Sequence, residues 1–116
     1  MKLEAIVILA GLAVASGAPA AWAGPNYFAY NDTAVTSFSG VYLAPAGTVT
    51  WGPNQALNDD DKELDFGERL TLTGLTPGKY DVKLVDKKGR TCMLHGIDLT
   101  KARSFDIRDP ALTGCE

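Results

Sequence analysis

The residues with the clearest capacity for chemistry are Met93 and His95, which stand two positions apart in the segment TCMLHG. Residues i and i+2 of a β-strand share a face, so a strand here would place the thioether and the imidazole on one side. Both groups are ligands for copper. The predicted hairpin register sets Asp81 opposite His95, as a third ligand or as the carboxylate that orients the imidazole. The alternative is an exposed histidine hydrogen bonded to Asp81 beside a packed methionine.

Catalytic patterns do not accompany this histidine. The sequence has no G-x-S-x-G or HExxH motif and no glycine-rich phosphate loop. Carboxylate pairs such as Asp60 and Glu63 fall in a predicted open loop, where nothing would raise the pKa of one member to make an acid. We therefore expect a protein that is not an enzyme and that needs no cofactor.

An acidic run lies near the middle of the chain, at Asp59, Asp60, Asp61, Glu63 and Asp65. The spacing departs from the helix–loop–helix calcium loop, because no glycine follows at the sixth position and no bidentate glutamate at the twelfth. A solvated surface loop is the favoured interpretation, and weak calcium binding is the alternative.

Trp51 and Tyr42 are the candidate binding aromatics. Trp51, in the segment TVTWGP, is most simply a core residue or a lid at one end of the fold. Together with Tyr42 and the aromatic residues Tyr27, Phe28 and Tyr30, it would alternatively form a carbohydrate-binding face.

The first 23 residues have the pattern of a secretory signal peptide. A basic start is followed by an apolar run over residues 5–15, and Ala21-Trp22-Ala23 fits an A-x-A cleavage site. A cut after Ala20 is the alternative. The apolar run is too short for a transmembrane helix, so we predict no membrane span in the mature chain, residues 24–116. That length suits one small domain.

Charge and cysteine content narrow the class of protein further. The formal net charge is −3, which argues against nucleic acid as a partner because phosphate-binding faces need clustered cations. Every lysine and arginine after residue 23 falls between Lys62 and Arg108. The chain has two cysteines, Cys92 and Cys115, and in an exported small domain we expect them to form a disulfide.

Alternating apolar residues predict the elements that must position these side chains. The segment from Gly74 to Leu99 has the pattern of a β-hairpin around Asp86-Lys87-Lys88-Gly89, with Gly89 in the left-handed conformation. Its predicted core face comprises Tyr80, Val82, Leu84, Cys92 and Leu94. Further strands are predicted at 26–31, 38–43, 69–75 and 102–107, with a short β-prone piece at 48–51.

The mature chain lacks an amphipathic helical stretch of ten or more residues. Short strands separated by glycine and proline are typical of an all-β fold, so we predict a small antiparallel β-sandwich of one domain, immunoglobulin-like or prealbumin-like. Residues 55–57 fit one helical turn or another short strand equally well.

Two resemblances add to this interpretation. GLTPGKYDVKLVDKKGR resembles the final hairpin of prealbumin-like and carboxypeptidase-regulatory-like β-sandwich modules. Much of the mature chain also resembles a group of small, uncharacterised exported bacterial proteins, through VYLAP at residues 41–45, Trp51-Gly52 and YDV at residues 80–82. A cysteine often stands two positions before the YD pair in that group, where this chain has Gly78. The resemblance implies export and a β-sandwich, and it brings no catalytic residues.

The expected function is that of a periplasmic or secreted, non-catalytic module that binds an extracytoplasmic protein through its loops. Two alternatives stay open. One is a small copper protein that uses Met93, His95 and Asp81, and the other is a carbohydrate-binding module that uses Trp51 and Tyr42.

Overall fold

A computed structural model describes residues 26–116 of the chain, and these residues form an all-β fold, as predicted. The strands are β1 (Tyr27–Asn31), β2 (Phe38–Pro45), β3 (Arg69–Leu72), β4 (Lys79–Asp86), β5 (Thr91–Asp98) and β6 (Ser104–Ile107). Two short 3-10 helices, Gln55–Asn58 and Asp109–Ala111, complete the elements. The predicted signal peptide, residues 1–23, lies outside the described residues.

The strands form two three-stranded sheets. One sheet has the order β3-β1-β6 and the other β2-β4-β5. All neighbouring strands are antiparallel except β1 and β6, which run parallel. Sequential hairpins cannot produce a parallel pair, so β6 must cross over to reach β1.

One hydrophobic core lies between the two sheets. Each strand contributes alternate side chains, such as Ala29 of β1, Leu72 of β3 and Val82 of β4, all of them fully buried. Phe105 and Ile107 of β6 point into the same core, as their alternation predicts. Removing this apolar surface from water is the main stabilising contribution to the fold.

The central β4–β5 hairpin has the predicted register. Val82 pairs with Leu94, Lys83 with Met93, and Leu84 with Cys92. All five residues of the predicted core face are buried. Gly89 has φ of 86°, the left-handed conformation that the turn requires.

The second strand and the segment after it differ from the prediction. Strand β2 continues to Pro45, although proline cannot donate a ladder hydrogen bond. The donor here is the neighbouring Ala46 N, which bonds Lys79 O, so β4 does not require an N–H from Pro45. The predicted β-prone piece at 48–51 is not a strand. Its Thr48 N bonds Pro45 O in a turn, and the next residue after it, Gly52, bonds Leu43 O through its backbone N–H.

The C-terminal tail covers the outer edge of β5. Thr113 pairs with Met93, and Glu116 exchanges two backbone hydrogen bonds with Thr91. A disulfide joins Cys92 of β5 to Cys115 of the tail, as the sequence predicts. Within residues 26–116 no helix is long and apolar enough to cross a lipid bilayer.

Candidate functional site

Asp81 of β4 is a buried carboxylate that holds two loops. Its Oδ2 accepts a hydrogen bond from Gly47 N at 2.9 Å, and its Oδ1 accepts one from Gly96 N at 3.1 Å. The pKa of Asp81 is lower than its usual value. The largest cause is the hydrogen bond from the backbone N–H of Gly47, followed by that from Gly96, and burial of the carboxylate opposes them only in part. Asp81 therefore stabilises both the turn after β2 and an irregularity in β5.

That irregularity positions His95. The pairing of β4 with β5 shifts register beyond Tyr80, and Gly96 has φ of 70°, which together form a bulge opposite Asp81. The His95 Nδ1 lies 3.4 Å from Asp81 Oδ1, and the imidazole side chain is 60% exposed. The contact leaves Nε2 as the nitrogen that an outside ligand would reach.

Met93 is half-buried two positions earlier on the same strand. It is the cross-strand partner of Lys83, and Lys83 is in turn the cross-strand partner of Tyr42 on β2. The three side chains therefore form one row across the whole outer face of the β2-β4-β5 sheet.

Trp51 packs against the middle of this row. The Lys83 Nζ lies 4.8 Å from the centre of the Tyr42 ring and 5.1 Å from the centre of the Trp51 ring. Both distances are within the range of cation–π attraction. Tyr42 and Trp51 are half-buried and lie outside the hydrophobic core. We call Tyr42, Trp51, Lys83 and Met93 the outer-face cluster.

Gly40 makes space for the ring of Tyr42. It lies at a bulge in β2, where the register with β4 shifts after Phe38. A Cβ at Gly40 would stand 2.8 Å from the Tyr42 ring carbon Cε2 and 3.1 Å from Val85 Cβ. Glycine at position 40 therefore permits both the bulge in β2 and the close approach of the Tyr42 ring.

The other candidate aromatic residues lie elsewhere. Tyr27 is a core residue, whereas Phe28 and Tyr30 lie on the outer face of the other sheet. Arg69 packs over the ring of Phe28 at 4.6 Å from its centre. The five aromatic residues predicted to form one face are therefore divided between two sheets and the core, and Trp51 and Tyr42 share the contact with Lys83.

The acidic run forms a surface segment between β2 and β3. Carboxylate oxygens of Asp59, Asp61 and Glu68 lie within 4.8 Å of one another, as do those of Asp61, Glu63 and Asp65. Three of these carboxylates accept backbone N–H groups from nearby positions of the same segment. Such contacts shape the turns of the loop.

Lys83 is the member of the outer-face cluster that the sequence analysis missed. Its place opposite Met93 follows from the hairpin register, but its place under Tyr42 depends on the pairing of β2 with β4. The alternation of FSGVYL was the available signal, since it sets Val41 and Leu43 inward and Tyr42 outward.

Comparisons with protein-family models, curated proteins and solved structures find no match to this chain. The Cys92–Cys115 disulfide is more typical of proteins outside the cytoplasm, where thiols are not kept reduced.

Proposed function

We propose that this protein is an exported, non-catalytic β-sandwich that binds an extracytoplasmic protein through the outer-face cluster. The observation that carries the proposal is the position of the Lys83 ammonium over the rings of both Tyr42 and Trp51 on the outer face of the β2-β4-β5 sheet. Tryptophan and tyrosine are enriched among the residues that dominate protein interfaces.

The cluster also indicates the chemistry of the partner. Within residues 26–116 Lys83 has no ion pair with a carboxylate, so its ammonium can donate to an acceptor on another molecule. The rings beside it offer apolar area. The matching surface is a carboxylate flanked by apolar side chains, which would satisfy the charge and cover the rings together.

A non-catalytic role is supported by the surroundings of His95. Among the described residues no serine, threonine or cysteine side chain hydrogen bonds to its imidazole, and its polar neighbour is Asp81. A base of this kind needs a nucleophile within reach to start acyl transfer.

Capture from an extracytoplasmic extract of the source cells tests the proposal. We expect the immobilised domain to retain a defined protein that Trp51→Ala and Lys83→Gln release. Phe66→Ala is the matched control, since Phe66 is 51% exposed in the acidic segment and lies outside the cluster. Retention of the same proteins by all variants would contradict the proposal, provided that each variant keeps the melting temperature of the parent.

Copper binding is the second candidate function, and the contact between His95 and Asp81 favours it, because a carboxylate on Nδ1 orients an imidazole toward a metal on Nε2. Both oxygens of Asp81 already accept backbone N–H groups, so Asp81 fits the orienting role better than the ligand role. Titration with copper(I) and copper(II), followed through the imidazole NMR signals, separates the candidates. Signals shifting to a one-to-one end point would support copper binding.

Carbohydrate binding would use the same rings of Trp51 and Tyr42. The Lys83 ammonium occupies one face of each ring, which leaves less stacking surface for a sugar. Quenching of tryptophan fluorescence by oligosaccharides, lost in Trp51→Ala, would favour this function over protein binding.

A further inference from the structure

A surface cleft of about 220 Å³ lies at the end of the sandwich, where the β4–β5 turn meets the segment that joins β1 to β2. Lys87 N donates to Ser37 O at 3.2 Å and ties the two walls together. The polar residues that line the cleft are Thr36, Ser37, Asp86, Lys87, Lys88 and Arg90. The cleft shares no residue with the outer-face cluster.

Asp86 stabilises the turn that lines one side of this cleft. Its buried carboxylate accepts hydrogen bonds from Lys88 N and Arg90 N, each at 2.9 Å, and from Arg90 Nε at 2.8 Å. These bonds fix the turn and the plane of the guanidinium. Because the contact uses Nε, the terminal NH₂ groups of Arg90 are left to donate to another acceptor.

Further donors in the cleft lack partners among the residues that the structure describes. Across residues 26–116 the ammonium of Lys88 makes no ion pair. The side-chain hydroxyls of Thr36 and Ser37 make no hydrogen bond to any other described residue. Lys87, in contrast, pairs with Glu63 at 3.2 Å. The cleft thus combines the Arg90 guanidinium, which is ion paired with Asp86, one ammonium without an ion pair among the described residues, and two hydroxyls.

We propose that this cleft binds a phosphate group. A phosphate carries a charge of about −1.5 to −2 at neutral pH and offers three strong acceptor oxygens, which match this set of cations and hydroxyls. Pockets that enclose whole small molecules measure about 300–1,000 Å³. A cleft of about 220 Å³ suits the charged group itself, with any remaining part of the molecule outside.

Titration of the whole domain with inorganic phosphate, followed by amide NMR shifts, tests this inference. Sodium chloride at equal ionic strength serves as the reference, because general screening affects all surface charges. We expect saturable shifts confined to residues 35–37 and 86–90, with a dissociation constant in the millimolar range or below. Absence of saturation, or equal shifts with chloride, would overturn the proposal.

Two variants and a control localise the effect. Lys88→Gln removes a side chain that bonds no described residue, and we expect phosphate to bind about three- to tenfold more weakly. Ser37→Ala removes one hydroxyl and should weaken binding by a smaller factor. Lys101→Gln makes the same charge change on the exposed β5–β6 connection and should leave the affinity unchanged. Equal weakening by Lys88→Gln and Lys101→Gln would refute the site.

Glycerol 3-phosphate distinguishes the two sources of such a group. Binding as tight as that of inorganic phosphate would assign the cleft to the phosphate end of a larger molecule. Binding of inorganic phosphate alone would assign it to the free anion. Failure of both ligands would overturn this proposal and leave the function proposed for the outer-face cluster untouched.

Discussion

Asp81 and Asp86 are buried acidic residues whose carboxylates accept hydrogen bonds from backbone N–H groups of turns and a bulge. Asp81 holds the turn at Gly47 and the bulge at Gly96, and Asp86 holds the β4–β5 turn. Burial is the largest single influence on Asp86 and raises its pKa, but the hydrogen bonds from Arg90 and Lys88 and the charge of Arg90 together outweigh it, so the pKa of Asp86 is lowered. Single carboxylates thus position both the His95 region and the phosphate cleft.

Replacement of Asp81 by asparagine should destabilise the fold. The amide keeps one acceptor oxygen but turns its NH₂ group toward a backbone N–H that then has no acceptor. We expect a loss of about 1–3 kcal/mol in the free energy of unfolding, measured by urea denaturation. Asp106→Asn is the control, since Asp106 is exposed and its carboxylate bonds the side chain of Arg108 alone among the described residues. A loss no greater than that of the control would contradict the role assigned to Asp81.

The same two aspartates predict an acid-sensitive fold. Because their pKa values are lower in the folded chain than in the unfolded chain, the stability that they contribute is present above the ordinary aspartate pKa of about 3.9. That stability is lost as the pH falls through the lower, folded values. The melting temperature should therefore drop below about pH 4. A smaller drop is expected in Asp81→Asn, and an unchanged acid sensitivity in that variant would contradict the linkage.

At the scale of secondary-structure elements, two side-chain amides bond the backbone N–H and C=O groups along the edge of β2 and just beyond the end of β3. Asn54 accepts a hydrogen bond from Val41 N and donates one to Ser39 O, which occupies the outer edge of β2. Gln55 does the same for Thr73, just beyond the end of β3, with both contacts at 3.0 Å. The first 3-10 helix and its N-cap Asn54, which we call the clasp, therefore link the two sheets. They also cover strand edges that could otherwise pair with strands of other molecules.

Gln55→Leu tests this clasp. The side chain of Gln55 is buried, and leucine fills similar space without bonding the backbone N–H and C=O of Thr73. We expect a loss of about 1–3 kcal/mol in the free energy of unfolding. Leu57→Ala in the same helix is the control, because Leu57 is 56% exposed and should change stability little. Equal stabilities of the two variants would contradict a role for the amide.

The contrast between the hairpin and this clasp shows what sequence can predict. The β4–β5 register follows from a four-residue turn signal and from strict alternation, both of which are local. The state of residues 55–57 could not be chosen, because it depends on bonds from Gln55 to Thr73, 18 positions away. The position of Lys83 over the rings of Tyr42 and Trp51 likewise depends on contacts between distant parts of the chain.

At the scale of the whole fold, residues 26–116 form two sheets around one hydrophobic core, and the candidate sites lie on the surface of these sheets and their loops. The core uses apolar side chains from both sheets, the tail and its disulfide cover the β5 edge, and amides cover β2 and the end of β3. The predicted all-β class is confirmed. Its parallel β1–β6 pair could not be read from the local pattern, since alternation does not reveal strand direction. Such a frame suits binding, because the contact residues are held in place before a partner arrives.

Site-specific photocrosslinking in the source cells tests the central claim most directly. A photoreactive phenylalanine derivative at Val49, an 82% exposed position two residues before Trp51, would report on molecules at the outer-face cluster. The same derivative at Phe66 is the control. The proposed function predicts one discrete protein adduct from position 49 that disappears when Lys83→Gln is added, and no such adduct from position 66. The same adduct from both positions, or an adduct at 49 that persists with Lys83→Gln, would contradict binding through this surface.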